Sequence, residues 1–190
     1  FDYFTFNKRK YLISRSGFSK QGGFEIHTDN IEGALELYDY FFEIGKEFNL
    51  KPGTPNHPER IEGGLLSYGS DMDIFDNPFE CGFDKYVDLN SDIVFLGREN
   101  LIKIKEKGIK KKLMGVKIES KSIDVSQGIP MLDLKENEVG QLRSAAYSPK
   151  FNKVVGIAMI EKNFWEVAKK FKINIDGNFV SGEICNLPIV

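Results

Sequence analysis

The sequence predicts an α+β fold, with a mixed portion over residues 1–110 and an all-β module over residues 111–190. In the first portion, two segments place apolar side chains at helical spacing, and short strands and turns rich in Gly and Pro surround them. After residue 110 the helical pattern stops, and short apolar runs follow one another between turn residues. That succession is typical of a small barrel or sandwich.

The chain begins with strand-like runs on either side of a glycine-rich loop. Residues 11–14 are largely apolar, and residues 23–28 alternate apolar and polar side chains, as in a half-buried strand. The loop between them reads RSGFSKQGG. We therefore expect two strands joined through this loop.

Two helices are expected in the first portion. Asn30 can cap the first, whose apolar positions recur over about 17 residues. These positions are Ile31, Ala34, Leu35, Tyr38, Phe41, Phe42 and Phe48. Three prolines, Pro52, Pro55 and Pro58, predict an extended or turning segment after it, and GGLLSYGSDMD predicts strand and turn. The second helix is expected from near Gly97 to Gly108, which suits a left-handed C-terminal position.

The β module is predicted from runs that are each too short for a helix. They read KKLMGVKIES, IPMLDL, EVGQLRSAAYS, VVGIAMIEK, FKINI and NFVSGEI. Asp176-Gly177, between the last two, is a hairpin turn pair. We place the boundary between the two parts near Lys110.

Charge and composition make several classes of partner unfavourable. The net charge of −2 gives no general attraction to nucleic acid or to an acidic membrane. No apolar stretch approaches the roughly 18 residues of a membrane span. We expect a soluble protein with neither partner, and we interpret the lysines of residues 103–112 as a solvated helix end.

Cys81 and Cys185 lie far apart, and neither they nor His27 and His57 have the spacing of a metal site. We expect free thiols, a cytoplasmic location and no metal. No signal peptide is visible. The aromatic opening FDYFTF, without an initiating Met, suggests a fragment.

The glycine-rich loop has the glycine spacing of a phosphate-binding loop but not its chemistry. The pattern GxxxxGK(S/T) needs Lys to reach the phosphates and a hydroxyl to reach magnesium. After Gly17 and Gly22, this sequence has Gly23 and Phe24 at those positions. Because a strand is also expected where a helix should follow, a nucleotide site is excluded.

Two interpretations of the loop stay open on the residues alone. The glycines can supply the positive φ of a hairpin. Alternatively, Glu25 follows a glycine pair that lets a ligand approach the backbone, and its carboxylate can accept two parallel hydrogen bonds from an amino-pyrimidine edge. Arg15, across the loop, can instead be the counter-ion of Glu25.

Five segments in order resemble the folate-binding aminomethyltransferase family, the T protein of glycine cleavage and its relatives. RSGFSKQGGFE is similar to the family's RTGYTGEDGFE, and ERIEGGLLSYGSDMD to LRLEAGLPLYGxD. NPFECGF and FLGRENL are similar to TPLEAGL and FIGREAL, and EVGQLRSAAYSPKFNKVVGIAMI is similar to the C-terminal barrel segment. The resemblance implies a folate-binding α/β portion followed by a small antiparallel β-barrel.

The resemblance also implies roles for individual residues. The Glu matching Glu25 binds the pterin ring of tetrahydrofolate, and Phe18 stands where the family has Tyr in the same loop. Arg60, Glu62 and Tyr68 match residues that line or support the folate cavity. The alternatives are that Arg60 and Glu62 pair with each other and that Tyr68 packs in the core.

Catalytic residues are expected outside this sequence. For Glu80 we favour a structural capping or pairing role. The family's aspartate beside folate N5 belongs to its N-terminal half, whereas the resemblance covers roughly the second half. We therefore expect this chain alone to bind folate weakly and to turn nothing over.

Two departures point to one branch of the family. The glycine-cleavage protein has Ala-Arg-Asp just before the matching Arg, where this sequence has Asn56-His57-Pro58, so a cation is missing. The loop SKQGG is closer to the dimethylsulfoniopropionate demethylase branch. The resemblance implies tetrahydrofolate as cofactor and a small sulfonium as substrate. A homodimer is a separate expectation that does not come from the resemblance.

A glycine-cleavage aminomethyltransferase, with a lipoyl carrier protein as partner, is the first alternative. A folate-binding relative without enzymatic activity is the second. A purely structural module is the last; it would bind no folate, and Glu25→Ala would have no effect.

Overall fold

The structure is a computed structural model that describes residues 1–18, 22–54 and 56–189. It contains two compact units, Phe1–Asn56 and His57–Val190. No helix among the described residues has the length and apolar character needed to cross a membrane.

The first unit is a three-stranded antiparallel sheet followed by a helix. Its strands are β1 (Asp2–Phe6), β2 (Arg9–Ser14) and β3 (Glu25–His27), with β2 in the centre. The helix α1 (Ile31–Ile44) continues into a 3-10 turn over Gly45–Phe48. The helix and both predicted strands are therefore confirmed, although β3 is shorter than expected, and β1 lies where no strand was predicted.

Helix α1 begins at Asn30 because that side chain satisfies its first turn. Asn30 Oδ1 accepts from the Gly33 backbone N–H at 2.7 Å and from Arg9 Nη1 at 2.7 Å. At Gly33 the helix approaches the sheet so closely that a Cβ would lie 3.0 Å from the Tyr11 hydroxyl. Tyr11 is buried and donates to the Gly33 carbonyl at 3.1 Å. The cap and the glycine thus fix the helix on the sheet.

The broad apolar face of α1 is only partly covered. Gly33 and Leu37 are buried. In contrast, Ile31 is 81% exposed and Phe48, in the 3-10 turn, 78% exposed. The periodicity predicted the helix correctly, but one side of it remains in solvent in the part of the chain that the structure describes.

The proline-rich segment differs from the expectation. A short helix, α2 (His57–Glu62), starts within it. Pro58 lies in its first turn, where the missing N–H has no intrahelical acceptor, so proline starts this helix instead of breaking it. Pro55 lies outside the described residues.

Helix α3 (Arg98–Lys107) follows, between Gly97 and Gly108, as predicted. Gly108 has a positive φ of 74° but, with a ψ of 155°, is not in the left-handed helical region.

The remaining strands form the predicted antiparallel barrel, which is closed. They are β4 (Lys111–Ile118), β5 (Ile129–Leu132), β6 (Glu138–Ser148), β7 (Lys153–Glu161), β8 (Lys170–Ile175) and β9 (Asn178–Cys185). They neighbour one another in the order β4-β7-β6-β5-β8-β9. Asp176 and Gly177 both have positive φ in the β8–β9 turn, which confirms that hairpin.

Apolar side chains fill the barrel and also cover part of its outside. Val116, Leu142 and Ile184 belong to the inner cluster. A second cluster joins Ile61 of α2 to Val155 and Ile157 of β7. Helix α2 is therefore held against the barrel by packing, which places its polar residues beside β6.

Both cysteines are free, as expected. Burial raises the pKa of each thiol to about 11.

Candidate functional site

Glu25, the residue predicted to contact the pterin ring, is exposed at the start of β3. Ser14 of β2 pairs with it across the sheet, and Ser16 Oγ donates to Glu25 Oε2. The carboxylate therefore has a fixed position at one end of the sheet while remaining accessible to solvent. Its role in binding folate stays a prediction.

Arg15 lies over the ring of Phe24, 4.8 Å from its centroid. No ion pair joins Arg15 to Glu25 within the described ranges. The counter-ion interpretation of Arg15 is therefore not the arrangement adopted here.

Phe18 is 37% exposed. Ser19, Lys20 and Gln21, the loop positions that depart most from the family pattern, lie outside the described residues. The roles predicted from that part of the loop stay predictions.

Arg60 is the centre of a buried polar cluster at α2. It is 4% exposed, and its Nη1 lies 2.6 Å from Asp71 Oδ2, which also accepts from the Ser67 backbone N–H. Its Nη2 donates to Ser144 Oγ of β6 at 3.0 Å. Arg60 thus ties α2 to the barrel through charge-assisted hydrogen bonds, and its predicted contact with folate is not tested by these contacts.

Glu62 does not pair with Arg60, so that alternative is wrong. Ser148 Oγ, on β6, donates to Glu62 Oε1 at 2.6 Å. The backbone carbonyl of Glu62 accepts from the Ile189 N–H at 2.7 Å. Both contacts hold the end of α2 in place.

Tyr68 and Glu80 contrast in exposure. Tyr68 is 68% exposed, so core packing does not explain it. Glu80 is buried, its Oε2 accepts from the Asn77 backbone N–H at 3.2 Å, and its carbonyl accepts from Leu113 of β4 at 2.7 Å. Its contacts fit the structural capping role that we favoured.

A second charged cluster surrounds Asp76. This carboxylate is fully buried, 2.7 Å from Lys111 Nζ and 2.5 Å from Arg143 Nη1. Desolvation pushes the pKa of Asp76 upward, but hydrogen bonds from Arg143 and Lys111 outweigh it, so the pKa lies below its ordinary value. Two cations around one carboxylate leave this cluster with a net positive charge.

Arg143 owes its direction to a β-bulge. Between β6 and β7, Leu142 pairs with Ala158 and Ser144 with Ile157, so Arg143 is the extra residue between them. A bulge re-aims the side chains of its strand. Here Ser144 reaches Arg60 while Arg143 reaches Asp76.

The two clusters border a common cleft of about 430 Å³. Its walls are largely polar. They include His57 and Arg60 of α2, Ser70, the loop over residues 123–128, and Arg143 to Ala145 of β6.

His57 stands on this cleft as a neutral donor. Burial lowers its pKa, and the nearby Arg60 lowers it further, with Asp71 acting in the opposite direction. Arg60 Nε donates to His57 Nδ1 at 3.3 Å, so the neutral ring carries its proton on Nε2.

Four polar residues of these clusters could not be assigned to a site from the sequence: Asp71, Asp76, Arg143 and Ser144. Asp71 and Asp76 fall inside or just after segments quoted for the resemblance, but nothing in their spacing indicated burial. The bulge at Arg143 has no Gly or Pro to mark it. Within residues 1–18, 22–54 and 56–189, no group of three or more His, Cys, Asp or Glu is arranged to hold a metal.

The chain thus combines a mixed unit of sheet and helix with a closed antiparallel barrel, and Arg60 of α2 donates to Ser144 of the barrel strand β6. The model of the GCVT N-terminal domain matches residues 1–91, and the model of the glycine cleavage T-protein C-terminal barrel domain matches residues 111–190. The chain belongs to this family.

Individual relatives include enzymes of more than one name. The chain is 35% identical to the dimethylsulfoniopropionate demethylase of Ruegeria pomeroyi, over 85% of this chain and 43% of that relative. It is 31% identical to the aminomethyltransferase of Thermoanaerobacter pseudethanolicus, over 86% of this chain and 44% of that relative.

Among solved structures, the glycine cleavage system aminomethyltransferase T from Bartonella henselae matches with a TM-score of 0.82 at 21% identity. The match covers 95% of this chain and 50% of that one. At this identity the likeness supports the fold alone. The chain spans less than half the length of the two relatives named above.

Proposed function

We propose that this chain is part of a tetrahydrofolate-dependent methyltransferase that takes a methyl group from a small sulfonium. The C–S bond breaks as the methyl carbon bonds to folate N5, the bonding pair leaves with sulfur as a neutral thioether, and N5 loses its proton. The positive charge of a sulfonium already activates the carbon, so alignment and exclusion of water are the main requirements.

The observation that carries the proposal is the start of α2. At the position where the glycine-cleavage pattern has Ala-Arg-Asp, this chain has Asn56-His57-Pro58, and the pKa of the His57 imidazole is lowered, mainly by burial. Arg60, the nearest cation, is neutralised by Asp71 at 2.6 Å. This segment therefore adds no fixed positive charge that would repel a cationic donor, and the 35% identity to a dimethylsulfoniopropionate demethylase supports the same choice.

Glu25 supports the folate part of the proposal. An exposed carboxylate held at the end of β3 by Ser16 can accept two parallel hydrogen bonds from an amino-pyrimidine edge. Phe18, Arg60 and Tyr68 remain proposed cofactor-binding residues beside it. No step of the transfer is assigned to a residue of this chain.

The experiment uses the full-length protein with tetrahydrofolate and one of two donors. We expect methyl-folate from dimethylsulfoniopropionate and no methylene-folate from an aminomethyl-lipoyl carrier protein. The reverse result would establish the alternative, a glycine-cleavage aminomethyltransferase, which the 31% identity to an enzyme of that name favours. Folate binding without product from either donor would favour a non-enzymatic relative.

A variant tests the pterin contact separately. Glu25→Gln should weaken folate binding about tenfold or more, because a bidentate bond to a charged acceptor contributes roughly 1.5–3 kcal/mol. Glu32→Gln, an exposed acid of α1, is the matched control and should leave affinity unchanged. Calorimetry with the full-length protein measures both, and equal affinities for the two variants would remove Glu25 from the site.

The proposal also covers the compartment, the oligomeric state and the activity of the 190-residue chain by itself. We propose a cytoplasmic enzyme that forms a homodimer, and a 190-residue chain that by itself binds folate weakly without turnover. Sedimentation of the full-length protein tests the dimer, and any clear turnover by the chain alone contradicts the last point.

A further inference from the structure

The turn that follows α2 is held from inside by one buried carboxylate. Asp71 is fully buried, and its Oδ2 atom accepts from the Ser67 backbone N–H at 2.6 Å and from Arg60 Nη1 at 2.6 Å. Its Oδ1 atom has no hydrogen-bond partner among the described residues. The hydrogen bonds of this carboxylate therefore run through Oδ2, which joins the turn to α2.

The backbone of the turn closes on itself around Tyr68. The Asp71 N–H donates to the Ser67 carbonyl at 2.8 Å, and the Gly69 N–H donates to the Met72 carbonyl at 2.8 Å. Gly69 has a positive φ of 88°, a conformation that glycine adopts without steric cost. Together with the side-chain contact between Asp71 and Ser67, these bonds fix the backbone on both sides of Tyr68.

The turn is also anchored to the barrel unit. Leu66 and Met72 pack against the apolar cluster that joins α2 to β7. Arg60 Nη1 donates to the Leu65 carbonyl at 3.2 Å, and Arg60 Nη2 donates to Ser144 Oγ of β6 at 3.0 Å. The turn thus has a fixed position against α2 and β6.

Tyr68 remains in solvent although its turn is fixed. It is 68% exposed, whereas Asp71, three residues further on, is fully buried. Gly69 and Ser70, which follow Tyr68, line the cleft of about 430 Å³. An aromatic ring beside this cleft offers a flat apolar surface to a ring-shaped ligand, and a fixed backbone reduces the conformational freedom lost on binding.

We propose that Asp71 is a positioning residue, which fixes the turn over residues 67–72 and so presents Tyr68 as a stacking surface to the flat ring of the ligand at the proposed folate site. Asp71 does not touch that ligand itself, because its carboxylate is buried. The stacking step rests on the proposed function, whereas the fixed turn does not.

The first test needs no ligand. In the ¹⁵N-labelled 190-residue chain, Asp71→Ala should lower the backbone order parameters of Tyr68 and Gly69 from about 0.85, typical of a rigid backbone, to below about 0.6. Asp73→Ala is the matched control and should leave both values unchanged, because Asp73 accepts from the Phe75 N–H, outside the turn. Unchanged values in Asp71→Ala would overturn the proposal.

Two further variants separate the turn from the stability of the whole unit, because Asp71→Ala leaves Arg60 buried without its partner. Arg60→Met combined with Asp71→Leu removes both charges at similar volume, and it should free Tyr68 while the barrel amides stay ordered. Asp71→Asn keeps an oxygen that can accept from Ser67 and should behave like the parent chain. A rigid Tyr68 in the double variant, or a mobile one in Asp71→Asn, would contradict the proposal.

A double-mutant cycle on the full-length protein tests whether Asp71 acts through Tyr68. Tetrahydrofolate is the probe, and calorimetry measures its affinity. Tyr68→Ala should weaken binding about tenfold through loss of stacking. Asp71→Ala should weaken it about threefold in the parent protein but less than about twofold in the Tyr68→Ala protein, because residues that act together are not additive.

The outcomes of the cycle distinguish the positioning role from the folate site. Equal losses from Asp71→Ala with and without the Tyr68 ring would overturn the positioning role while leaving the proposed function in place. A parent protein that binds no tetrahydrofolate would overturn the proposed function and the stacking step together. The order parameters of the turn decide its fixed geometry in either case.

Discussion

The two units differ in how far they bury their apolar and charged side chains. In the first unit, α1 leaves large apolar side chains such as Ile31 in solvent. Arg9 of β2 and Glu32 of α1 form a loose, largely exposed pair with 3.8 Å between Arg9 Nη2 and Glu32 Oε2. In the second, the barrel encloses its apolar residues, and it buries Asp71 and Asp76 completely against cations. The barrel with α2 thus completes its own core, whereas the three-stranded sheet covers only one face of α1.

That difference predicts where stability resides. A unit with a closed core and buried ion pairs should unfold as one cooperative block. A unit with few buried apolar contacts should open more readily. Substitutions in each unit therefore test this contrast.

Removal of the Asp76 carboxylate should have the largest effect. Asp76→Ala leaves Lys111 and Arg143 partly buried without their common partner, which should cost about 3–5 kcal/mol of unfolding free energy. Urea denaturation followed by the fluorescence of Trp165, in the barrel unit, measures this cost. Glu119→Ala, which breaks the exposed pair with Lys153, is the control and should change the midpoint little. Similar effects from both would contradict the importance assigned to burial.

A methyl group added at Gly156 should cause the second largest loss of unfolding free energy. A Cβ there would lie 2.6 Å from Leu142 Cδ1 and 2.9 Å from the Ser144 carbonyl, at the bulge that aims Arg143. Gly156→Ala should therefore cost about 1–3 kcal/mol through overpacking. Gly53→Ala, where nothing lies within 4 Å of the added atom, is the matched control. Unchanged stability of Gly156→Ala would mean that the barrel accommodates the methyl group, and its core would then be looser than described.

Loss of the N-terminal cap of α1 should have a smaller effect on stability, and that effect should be confined to the first unit. Asn30→Ala removes the acceptor for Gly33 N–H and Arg9, which should lower helix stability by about 1 kcal/mol. Hydrogen exchange of α1 amides should speed up while the amides of β7 stay protected. Asn30→Asp keeps an acceptor and should behave like the parent chain. Faster exchange in β7 as well would show that the two units unfold together.

The contribution of Asp76 to the unfolding free energy should also depend on pH, with a small effect in acid. Its pKa is lower in the folded chain than its ordinary value of 3.8, so its contribution to stability is fully present above that value. The contribution is lost as the pH falls through the folded-state pKa. The difference in unfolding free energy between the parent chain and Asp76→Asn should thus be constant from pH 7 to about pH 5 and shrink below about pH 4. A difference that stayed constant to the lowest pH would contradict the charged state of Asp76.

Much of the fold was predictable because it depends on local patterns. Asn30 and the apolar period predicted α1, the glycines around residues 97–108 predicted α3, and six apolar runs with Asp176-Gly177 predicted the barrel strands. Helix α2 differs from the extended segment that three nearby prolines predict, because Pro58 lies in the first turn, where a proline is compatible with a helix. Strand β1 was missed because FDYFTF lacks a regular alternation of polar and apolar residues.

The candidate site was less predictable. Glu25 and Arg60 could be named from their resemblance to family motifs, but their partners could not. Ser144 is 84 positions from Arg60 along the chain, and Arg143 is 67 positions from Asp76. No local pattern indicates which of the many charged residues will meet across such distances.

Local patterns in the sequence were enough for most of the strands and helices, because turn residues, caps and apolar periods act over a few neighbouring positions. The family was recognisable from five short motifs in order. Three features depend on contacts between distant residues: Asp71 and Asp76 are buried among cations, a bulge turns Arg143 toward a polar cleft, and α1 keeps an exposed apolar face. Closure of the barrel is the physical reason for the first two, because it brings distant residues into contact and removes water from around their charges.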